Sequence, residues 1–493
     1  MSMNAAETLL SVGDDRRAAL ECGDSSLTYA GLRDAVRRAA GAWRTLGLET
    51  GDRVLVHASD GIDWVIAYLG VIWAGGVAVG LNSRLFDKDL SIVLADCGAH
   101  FVLCDSGSVA TLQRLLRDQA APPCIVAQSE ARALWSTAIP IAAEQRPAES
   151  PALWFYTSGT TGLPMRVIHA QRAVTETASF AKTVLGADER ARLYASSKLF
   201  FAYALGNALC AGLRLGATVI LDPEWPTAER VAQVAERHRP TVLFSVPTLY
   251  LKLLQAGLTG RLVRAGVRHF VSAGEALPGT VRRLWEDATG IAPVSGYGAS
   301  ETIALVLYCD DDRGLLSPSP MAELRLRGGA AEGGAPQRIW LRHPCVSLGY
   351  WNRPQAQTDS FADGWFSPGD LFRRAGDAWE FCGRDDDMLK ISGQWVSVLE
   401  IEQSLVASAA GSVQQLAAVG YTSSEGLGSI ALFAVPAAGR ETEARTRVEA
   451  GIGALPKIKR PRLVKWIDEM PVTATGKLQR GKLKEQYLSG AFA

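Results

Sequence analysis

The sequence lacks a paired-cysteine motif, because its eight cysteines are scattered and none of them forms a C-x-x-C pair. This spacing argues against a zinc site and a dithiol redox centre, and it predicts reduced, buried thiols in a cytoplasmic protein. The chain also lacks an excess of either charge, since 51 Lys and Arg residues balance 51 Asp and Glu residues. We therefore expect neither nucleic acid nor an anionic membrane surface to be its main partner.

Targeting and membrane-spanning segments are not predicted either. The N-terminal stretch MSMNAAETLLSVGDDRRAAL contains early acidic residues and no continuous apolar core, which argues against a signal peptide. One apolar run, residues 64–81, approaches the length of a membrane span, but Gly75 and Gly76 interrupt it. We predict a buried helix, a glycine turn and a core strand in this run.

The length of 493 residues is too great for one hydrophobic core. Strand-like segments precede helix-like ones along most of the chain, for example PTVLFSV before PTLYLKLLQAG. This alternation predicts an α/β fold with largely parallel, helix-covered sheets and a β-rich segment over residues 310–336. A break near CGRDDDMLKISGQW predicts a large N-terminal domain, residues 1–385, and a small C-terminal domain, residues 386–493.

The stretch FYTSGTTGLPMRV has the small and hydroxylated residues of a loop that holds phosphate, but it is not a Walker loop and has no lysine. Its significance depends on later motifs. The motif SGYGASET contains Tyr297 between two glycines and Glu301 directly after the hydroxyl of Ser300. Three further motifs each contribute one charged residue: Asp370 in WFSPGDL, Arg384 in GRDDDMLKISG and Lys477 in TATGKLQR. Each motif is weak alone, but together they fit a site for ATP and Mg²⁺.

These motifs, in this order, resemble those of the acyl-adenylate-forming superfamily, which includes acyl- and aryl-CoA ligases and carrier-protein adenylation enzymes. The resemblance covers nearly the whole chain. The segments SKLFFAYALGNAL, SVPTLY, SAGEALP and DDMLKISGQWVSVLEIE are most similar to benzoate-type aryl-CoA ligases. The resemblance implies a ligase that forms an acyl-AMP with release of pyrophosphate and then transfers the acyl group to the thiol of CoA.

The resemblance also implies roles for individual residues. Lys477, Glu301, Ser300 and Arg384 are the expected catalytic residues, with Glu301 as the Mg²⁺ ligand and Lys477 bridging the carboxylate and the α-phosphate. The small C-terminal domain is expected to rotate about a hinge at Asp386, which brings the loop of Lys390 and Gly393 toward the thioester. The expected nucleotide-binding residues are Thr157, Ser158, Gly159, Thr160, Thr161, Gly162, Gly274, Glu275, Tyr297, Gly298, Asp370 and Arg384.

An apolar slot for the acid is expected around FFAYALGNAL. A flat slot with one phenol suits an aromatic ring better than a fatty chain. A buried helix start is the alternative interpretation of the same residues, because Phe-Phe pairs usually belong to a core. The expected wall residues are Phe201, Tyr203, Ala204, Gly206, Ala273, Gly298 and Ile303.

The chain departs from the family pattern at three positions. Met165 and Arg166 replace a Lys-Gly pair, and Pro368 stands where a threonine is usual. We expect Arg166 to supply the missing charge from one position later, although its planar guanidinium differs from a compact ammonium. Catalysis is expected to survive, with slower or weaker use of ATP.

Two rival functions stay open. One is a stand-alone adenylation enzyme that loads a separate carrier protein, and the other is a degenerate member that binds nucleotide or acyl-adenylate without turnover. The ring substituents that the acid carries, and the choice between monomer and homodimer, are not settled by the sequence.

Overall fold

The structure is a computed structural model that describes residues 2–158, 164–311, 313–328, 335–385, 388–391, 394–409, 411–422, 428–471 and 478–488. The predicted α/β class is confirmed by its helix-covered, mixed sheets. The chain divides into two compact units. Unit 1 is Met1–Leu324 with Leu341–Phe366, and unit 2 is Arg325–Trp340 with Ser367–Ala493. The predicted boundary near Asp386 falls on a residue outside the described ranges and stays a prediction.

Unit 1 contains a seven-stranded sheet whose central strands are parallel. The two strands at one edge of this sheet are antiparallel to their neighbours. Helices between the parallel strands return the chain to the edge of the sheet where the next strand begins. In spatial order the strands are β20 (Gly349–Tyr350), β10 (Pro164–Ala170), β9 (Pro151–Ser158), β5 (Val77–Gly80), β4 (Arg53–His57), β6 (Phe101–Cys104) and β7 (Cys124–Ala127). The crossover helices are α3 (Ile62–Trp73), α4 (Asp87–Cys97), α5 (Val109–Leu116) and α6 (Gln128–Thr137).

A second, nine-stranded sheet in unit 1 has parallel central strands and antiparallel strands at both ends. Its order is β17 (Ser317–Pro318), β16 (Leu307–Cys309), β15 (Val294–Tyr297), β14 (His269–Ser272), β13 (Val242–Ser245), β11 (Arg192–Ala195), β12 (Thr218–Leu221), β2 (Ala18–Cys22) and β3 (Ser25–Thr28). The associated helices are α7 (Ser179–Thr183), α8 (Ala202–Ala204), α9 (Ala211–Leu215), α10 (Ala228–His238), α11 (Pro247–Gln255), α12 (Thr259–Ala265) and α13 (Gly279–Thr289).

Helices α1 (Ala5–Leu10) and α2 (Tyr29–Thr45) precede the seven-stranded sheet in the chain, and β1 (Ser2–Met3) pairs with β8 (Arg146–Pro147). One continuous core contains Trp43 of α2, Trp64 of α3, Leu20 of β2 and Leu103 of β6. Helices α2 and α3 therefore share their core with strands from both large sheets.

The apolar run at residues 64–81 folds as predicted. Helix α3 buries ten of its residues and ends at Trp73. Gly75 follows at φ +84°, a left-handed conformation that glycine adopts without a steric penalty, and β5 then begins at Val77. Among the described residues no helix is long and apolar enough to cross a membrane.

The strands β18 (Glu323–Leu326) and β19 (Gln337–Arg342) contain the points at which the chain passes between the units. Unit 1 also contains α14 (Pro354–Ser360) and the pair β21 (Phe361–Ala362) and β22 (Trp365–Phe366). The elements of unit 2 are β23 (Asp370–Ala375), β24 (Ala378–Arg384), β25 (Met388–Ile391), β26 (Gln394–Ser397), α15 (Val398–Ala409), β27 (Val413–Thr422), β28 (Gly428–Pro436), α16 (Glu441–Ala454), β29 (Leu463–Trp466) and α17 (Arg480–Leu488).

Candidate active site

The carboxyl edge of the nine-stranded sheet gathers eight of the predicted residues of unit 1. Strands β14 and β15 are parallel neighbours, with Ser272 opposite Ser295. Residues that follow these strands therefore emerge at one edge, where open α/β sheets bind their ligands. The residues brought together in this way are Ala273, Gly274, Glu275, Tyr297, Gly298, Ser300, Glu301 and Ile303.

The turn that carries Ser300 and Glu301 is fixed from two directions. The hydroxyl of Tyr350 donates a 2.6 Å hydrogen bond to Oε1 of Glu301, and the backbone N–H of Ser347 donates to the Glu301 carbonyl at 2.8 Å. Since Tyr350 of β20 pairs in the sheet beside Val167, the orientation of the carboxylate depends on the seven-stranded sheet. No motif in the sequence points to Tyr350.

His169 is a second residue that sequence reasoning missed. Its Nε2 lies 2.7 Å from the carbonyl oxygen of Ser300, and its side chain is fully buried. Burial lowers the pKa of His169 to about 4, so the ring is neutral and Nε2 carries the hydrogen that the carbonyl accepts. His169 lies on β10, the strand that follows the predicted phosphate loop. Its hydrogen bond therefore links that strand to the turn of Ser300 and Glu301.

The residues that flank the predicted phosphate loop lie on two antiparallel strands. Thr157 and Ser158 end β9, and their backbones pair with Met165 and Pro164 of β10. Several predicted residues lie outside the described residues, so their roles stay predictions: Gly159, Thr160, Thr161, Gly162, Asp386, Gly393 and Lys477. For Lys390 the structure describes the backbone, which pairs in β25 opposite Trp395.

Arg166 has a different partner from the one expected. Its side chain is 4% exposed, and its Nε forms an ion pair with Oδ2 of Asp96 at 2.8 Å, while Nη1 donates to the Asp96 carbonyl at 3.0 Å. Asp96 belongs to α4, which lies against this face of the sheet. The charge of Arg166 is therefore compensated at the end of α4, and the structure does not support the expectation that it replaces the missing lysine.

The predicted acid pocket lies where α8 meets the end of β14. The Tyr203 hydroxyl donates to the Val271 carbonyl at 2.9 Å, and its ring stands edge-on to Phe244. Burial raises the pKa of Tyr203, so the phenol stays protonated. Ala204, Ala273 and Ile303 are buried around it, and Phe201 is half-buried. These surroundings are apolar, which both the slot and the alternative of a buried helix start predict, so the pocket stays a prediction.

A buried charge cluster fixes the chain just before Phe200 and Phe201. Oδ2 of Asp60 accepts a hydrogen bond from the Leu199 N–H at 3.0 Å. Lys198 donates to the Asp222 carbonyl at 2.6 Å and, like Asp60, is nearly inaccessible to solvent. Burial raises the pKa of Asp60 to about 7, against the opposing field of Lys198. The cluster therefore holds a carboxyl that titrates near neutrality beside the predicted pocket wall.

This cluster predicts a pH-dependent stability. Because the pKa of Asp60 is higher in the folded chain, about 7 against 3.8, its stabilising contribution is complete below pH 3.8 and is lost as the pH rises through 7. Asp60→Asn keeps an acceptor for the Leu199 N–H but cannot ionise. As the pH rises from about 4 to 7, we expect the free energy of unfolding of the variant to increase relative to that of the wild type, by up to about 1.4 kcal/mol per pH unit. Denaturant unfolding at pH 5, 6, 7 and 8 measures this difference, and a constant difference would contradict it.

In unit 2, Asp370 and Arg384 lie opposite each other on β23 and β24, with Oδ1 of Asp370 3.4 Å from Nε of Arg384. The structure thus brings together the two residues predicted to hold a ribose. Gly369, at φ +75°, makes the turn into β23, and its carbonyl accepts from the Asp385 N–H at 3.0 Å. This turn directly follows Pro368, which has no backbone N–H to donate.

The residues around Glu301 fit Mg²⁺ in their chemistry. A carboxylate held in one orientation is the kind of oxygen ligand that Mg²⁺ takes, usually one or two from the protein together with phosphate oxygens. The described residues contain no group of three or more His, Cys, Asp or Glu side chains that could hold a metal by themselves. A single carboxylate such as that of Glu301 suits a Mg²⁺ ion that takes its other ligands from nucleotide phosphates and water.

Comparison with known proteins gives a consistent result. The family described as AMP-binding enzyme matches residues 12–351. A 3-hydroxybenzoate–CoA/4-hydroxybenzoate–CoA ligase of Thauera aromatica is 37% identical over 98% of this chain and 97% of its own length. A benzoate–CoA ligase of the same organism is 34% identical over 93% and 90%. The crystal structure of an anthranilate CoA ligase in complex with anthranoyl-AMP superposes with a TM-score of 0.92 at 27% identity, over 99% of this chain and 98% of that one.

Proposed function

This chain belongs to the family of AMP-binding enzymes, and we propose on that basis that it is an aryl-CoA ligase. It activates a benzoate-type carboxylate with ATP and transfers the aryl-acyl group to CoA. The observation that carries this proposal is the 37% identity to a hydroxybenzoate–CoA ligase over 98% of the chain. The apolar surroundings of Tyr203 agree with a flat aromatic acid.

In the first half-reaction, a carboxylate oxygen of the acid attacks the α-phosphorus of ATP. The bond to the bridging oxygen breaks, and pyrophosphate leaves with the electron pair. We assign stabilisation of the growing negative charge to Lys477 and to the loop from Thr157 to Gly162. Glu301 would hold Mg²⁺, which would supply further positive charge to the departing pyrophosphate. Tyr297 stacks on the adenine, and Asp370 and Arg384 bind the ribose.

In the second half-reaction, the CoA thiol loses its proton, its sulfur attacks the carbonyl carbon of the aryl-adenylate, and AMP leaves. We propose that the C-terminal domain rotates between the two steps about Asp386 and brings Lys390 and Gly393 toward the thioester. Because the reaction consumes ATP and CoA, we also propose that the enzyme works in the cytoplasm.

A basic groove in unit 2 favours CoA over a carrier protein as the acceptor. The groove has a volume of about 330 Å³ and is lined by Lys457, Arg460 and Arg462. Arg460 donates to the carbonyls of Leu455 and Gly453, which fixes its guanidinium. Several cations around one groove suit the phosphate groups of CoA.

Pyrophosphate release from Mg-ATP tests the proposal directly. The acids are a panel of benzoates and short fatty acids, each measured with and without CoA. We expect release that requires an aryl acid and continues only with CoA. A single burst that CoA leaves unchanged would indicate a carrier protein as the acceptor. Absence of release with every acid, while ATP still binds, would contradict the proposal.

A further inference from the structure

An unusual helical stretch directly follows α8, next to the residues of the predicted acid pocket. Helix α8 continues into a π-helical segment, Leu205–Cys210, in the wall of the predicted pocket. π-Helical turns are rare, and they often occur at functional sites because they expose a backbone group that a regular helix would pair. Here the segment contains Gly206 and Asn207.

Ile303 comes unusually close to this segment. A Cβ atom on Gly206 would overlap the carbonyl oxygen of Ile303, so only glycine permits the approach. Ile303 itself is buried and has φ +53°, a conformation that a β-branched residue adopts only under strain. Such strain persists only where surrounding contacts hold it. Because Ile303 follows Glu301 by two residues, the strain lies next to the nucleotide turn.

Asn207 supplies the contacts that hold this backbone. Its Nδ2 donates to the Tyr203 carbonyl at 3.0 Å and to the Ile303 carbonyl at 3.4 Å. Its Oδ1 accepts from the Leu305 N–H at 3.0 Å. The side chain is 2% exposed, so the backbone groups that it satisfies have little access to water. An amide is the uncharged side chain that offers both donors and an acceptor in one plane.

Ile303 connects the two predicted subsites along the chain. It is an expected wall of the acid pocket, and the preceding turn is closed by Thr302, whose Oγ1 accepts from the Ala299 N–H at 3.0 Å and donates to the Ala304 carbonyl at 2.9 Å. A displacement of Ile303 would therefore move the turn that carries Ser300 and Glu301.

We propose that Asn207 is a positioning residue that couples the acid pocket to the nucleotide turn by fixing Ile303 in its strained conformation. This inference rests on the proposed aryl-CoA ligase activity. The aryl acid packs against Ile303 and so favours the arrangement of Ser300 and Glu301 that receives Mg-ATP. Asn207 maintains this link, and the binding of each substrate strengthens the binding of the other.

The test measures the coupling itself. Binding of Mg²⁺ and α,β-methylene-ATP, an analogue that cannot release pyrophosphate, is titrated by calorimetry with and without 3-hydroxybenzoate. In the wild type we expect the acid to increase the affinity for the analogue by about fivefold or more. In Asn207→Ala and Asn207→Asp, which both lack the donor to Ile303, we expect less than about a twofold increase. Their kcat for pyrophosphate release falls more than their KM for ATP rises.

The control is Tyr29→Phe, which removes a buried hydroxyl that donates to the Ala217 carbonyl at 2.7 Å outside the proposed site. We expect this variant to melt at a lower temperature but to show the same increase in analogue affinity with the acid as the wild type. Asn207 variants that lose only thermal stability and keep wild-type coupling would overturn the inference, as would a wild type that binds acid and analogue independently. A wild type that turns over no aryl acid at all would overturn the proposed function, and the inference with it.

Discussion

Replacing Glu301 with glutamine is expected to slow pyrophosphate release by about 10²–10³-fold, the scale of removing one preorganised stabilising group from an active site. Glutamine has nearly the same shape and keeps an oxygen that can accept the Tyr350 hydroxyl, which lies 2.6 Å from the carboxylate. What it loses is the negative charge that Mg²⁺ requires. The measurement is the rate of pyrophosphate release at saturating acid, ATP and CoA over a range of Mg²⁺ concentrations.

Tyr350→Phe provides the matched variant for this experiment. It keeps the carboxylate and removes the hydroxyl that orients it, and loss of such an outer partner typically costs 10–100-fold in metal affinity or activity. We expect a reduction of about tenfold that excess Mg²⁺ largely restores, whereas Glu301→Gln stays slow. Electron paramagnetic resonance of Mn²⁺ in the presence of α,β-methylene-ATP measures the metal affinity of each variant without turnover. A Glu301→Gln enzyme with the wild-type rate and metal affinity would mean that another group holds the metal.

The parallel sheets and the burial of the run at residues 64–81 could be predicted because they depend on local patterns. Strand-like and helix-like segments alternate, and a glycine turn separates α3 from β5. The motif residues at the edge of the nine-stranded sheet were identified through the family resemblance, and their position at the ends of β14 and β15 comes from the structure. The family resemblance added the reaction, which these patterns alone do not specify.

The residues that orient the site could not be predicted in this way. His169 reaches Ser300 across 131 positions of the chain, and the hydrogen bonds of Asn207 reach Ile303 and Leu305 across almost one hundred. A lone buried histidine or asparagine has no sequence pattern that identifies its partner, because the partner depends on which strands become neighbours. Arg166 illustrates the same limit. Its position suggested a phosphate contact, but its strand places the guanidinium against α4.

The Arg166–Asp96 pair leads to the second large prediction. The Arg166 side chain is 4% exposed and that of Asp96 is 25% exposed. Asp96→Ala leaves a buried guanidinium without its counter-charge, which costs about 3–5 kcal/mol for a fully buried pair. Because Asp96 is partly solvated, we expect the free energy of unfolding to fall by about 2–4 kcal/mol. Denaturant unfolding with a fixed m-value measures this loss.

Asp87→Ala is the control on the same helix, because Asp87 pairs with Arg114 and both side chains are more than half exposed. Exposed pairs contribute about 0–1 kcal/mol, so this variant should be nearly as stable as the wild type. The double variant Asp96→Ala with Arg166→Met removes both charges, and replacing a buried pair by apolar residues is often neutral or stabilising. We expect it to recover most of the loss. If Asp96→Ala is as stable as Asp87→Ala, then Arg166 has other compensation and its charge is available to the phosphate loop after all.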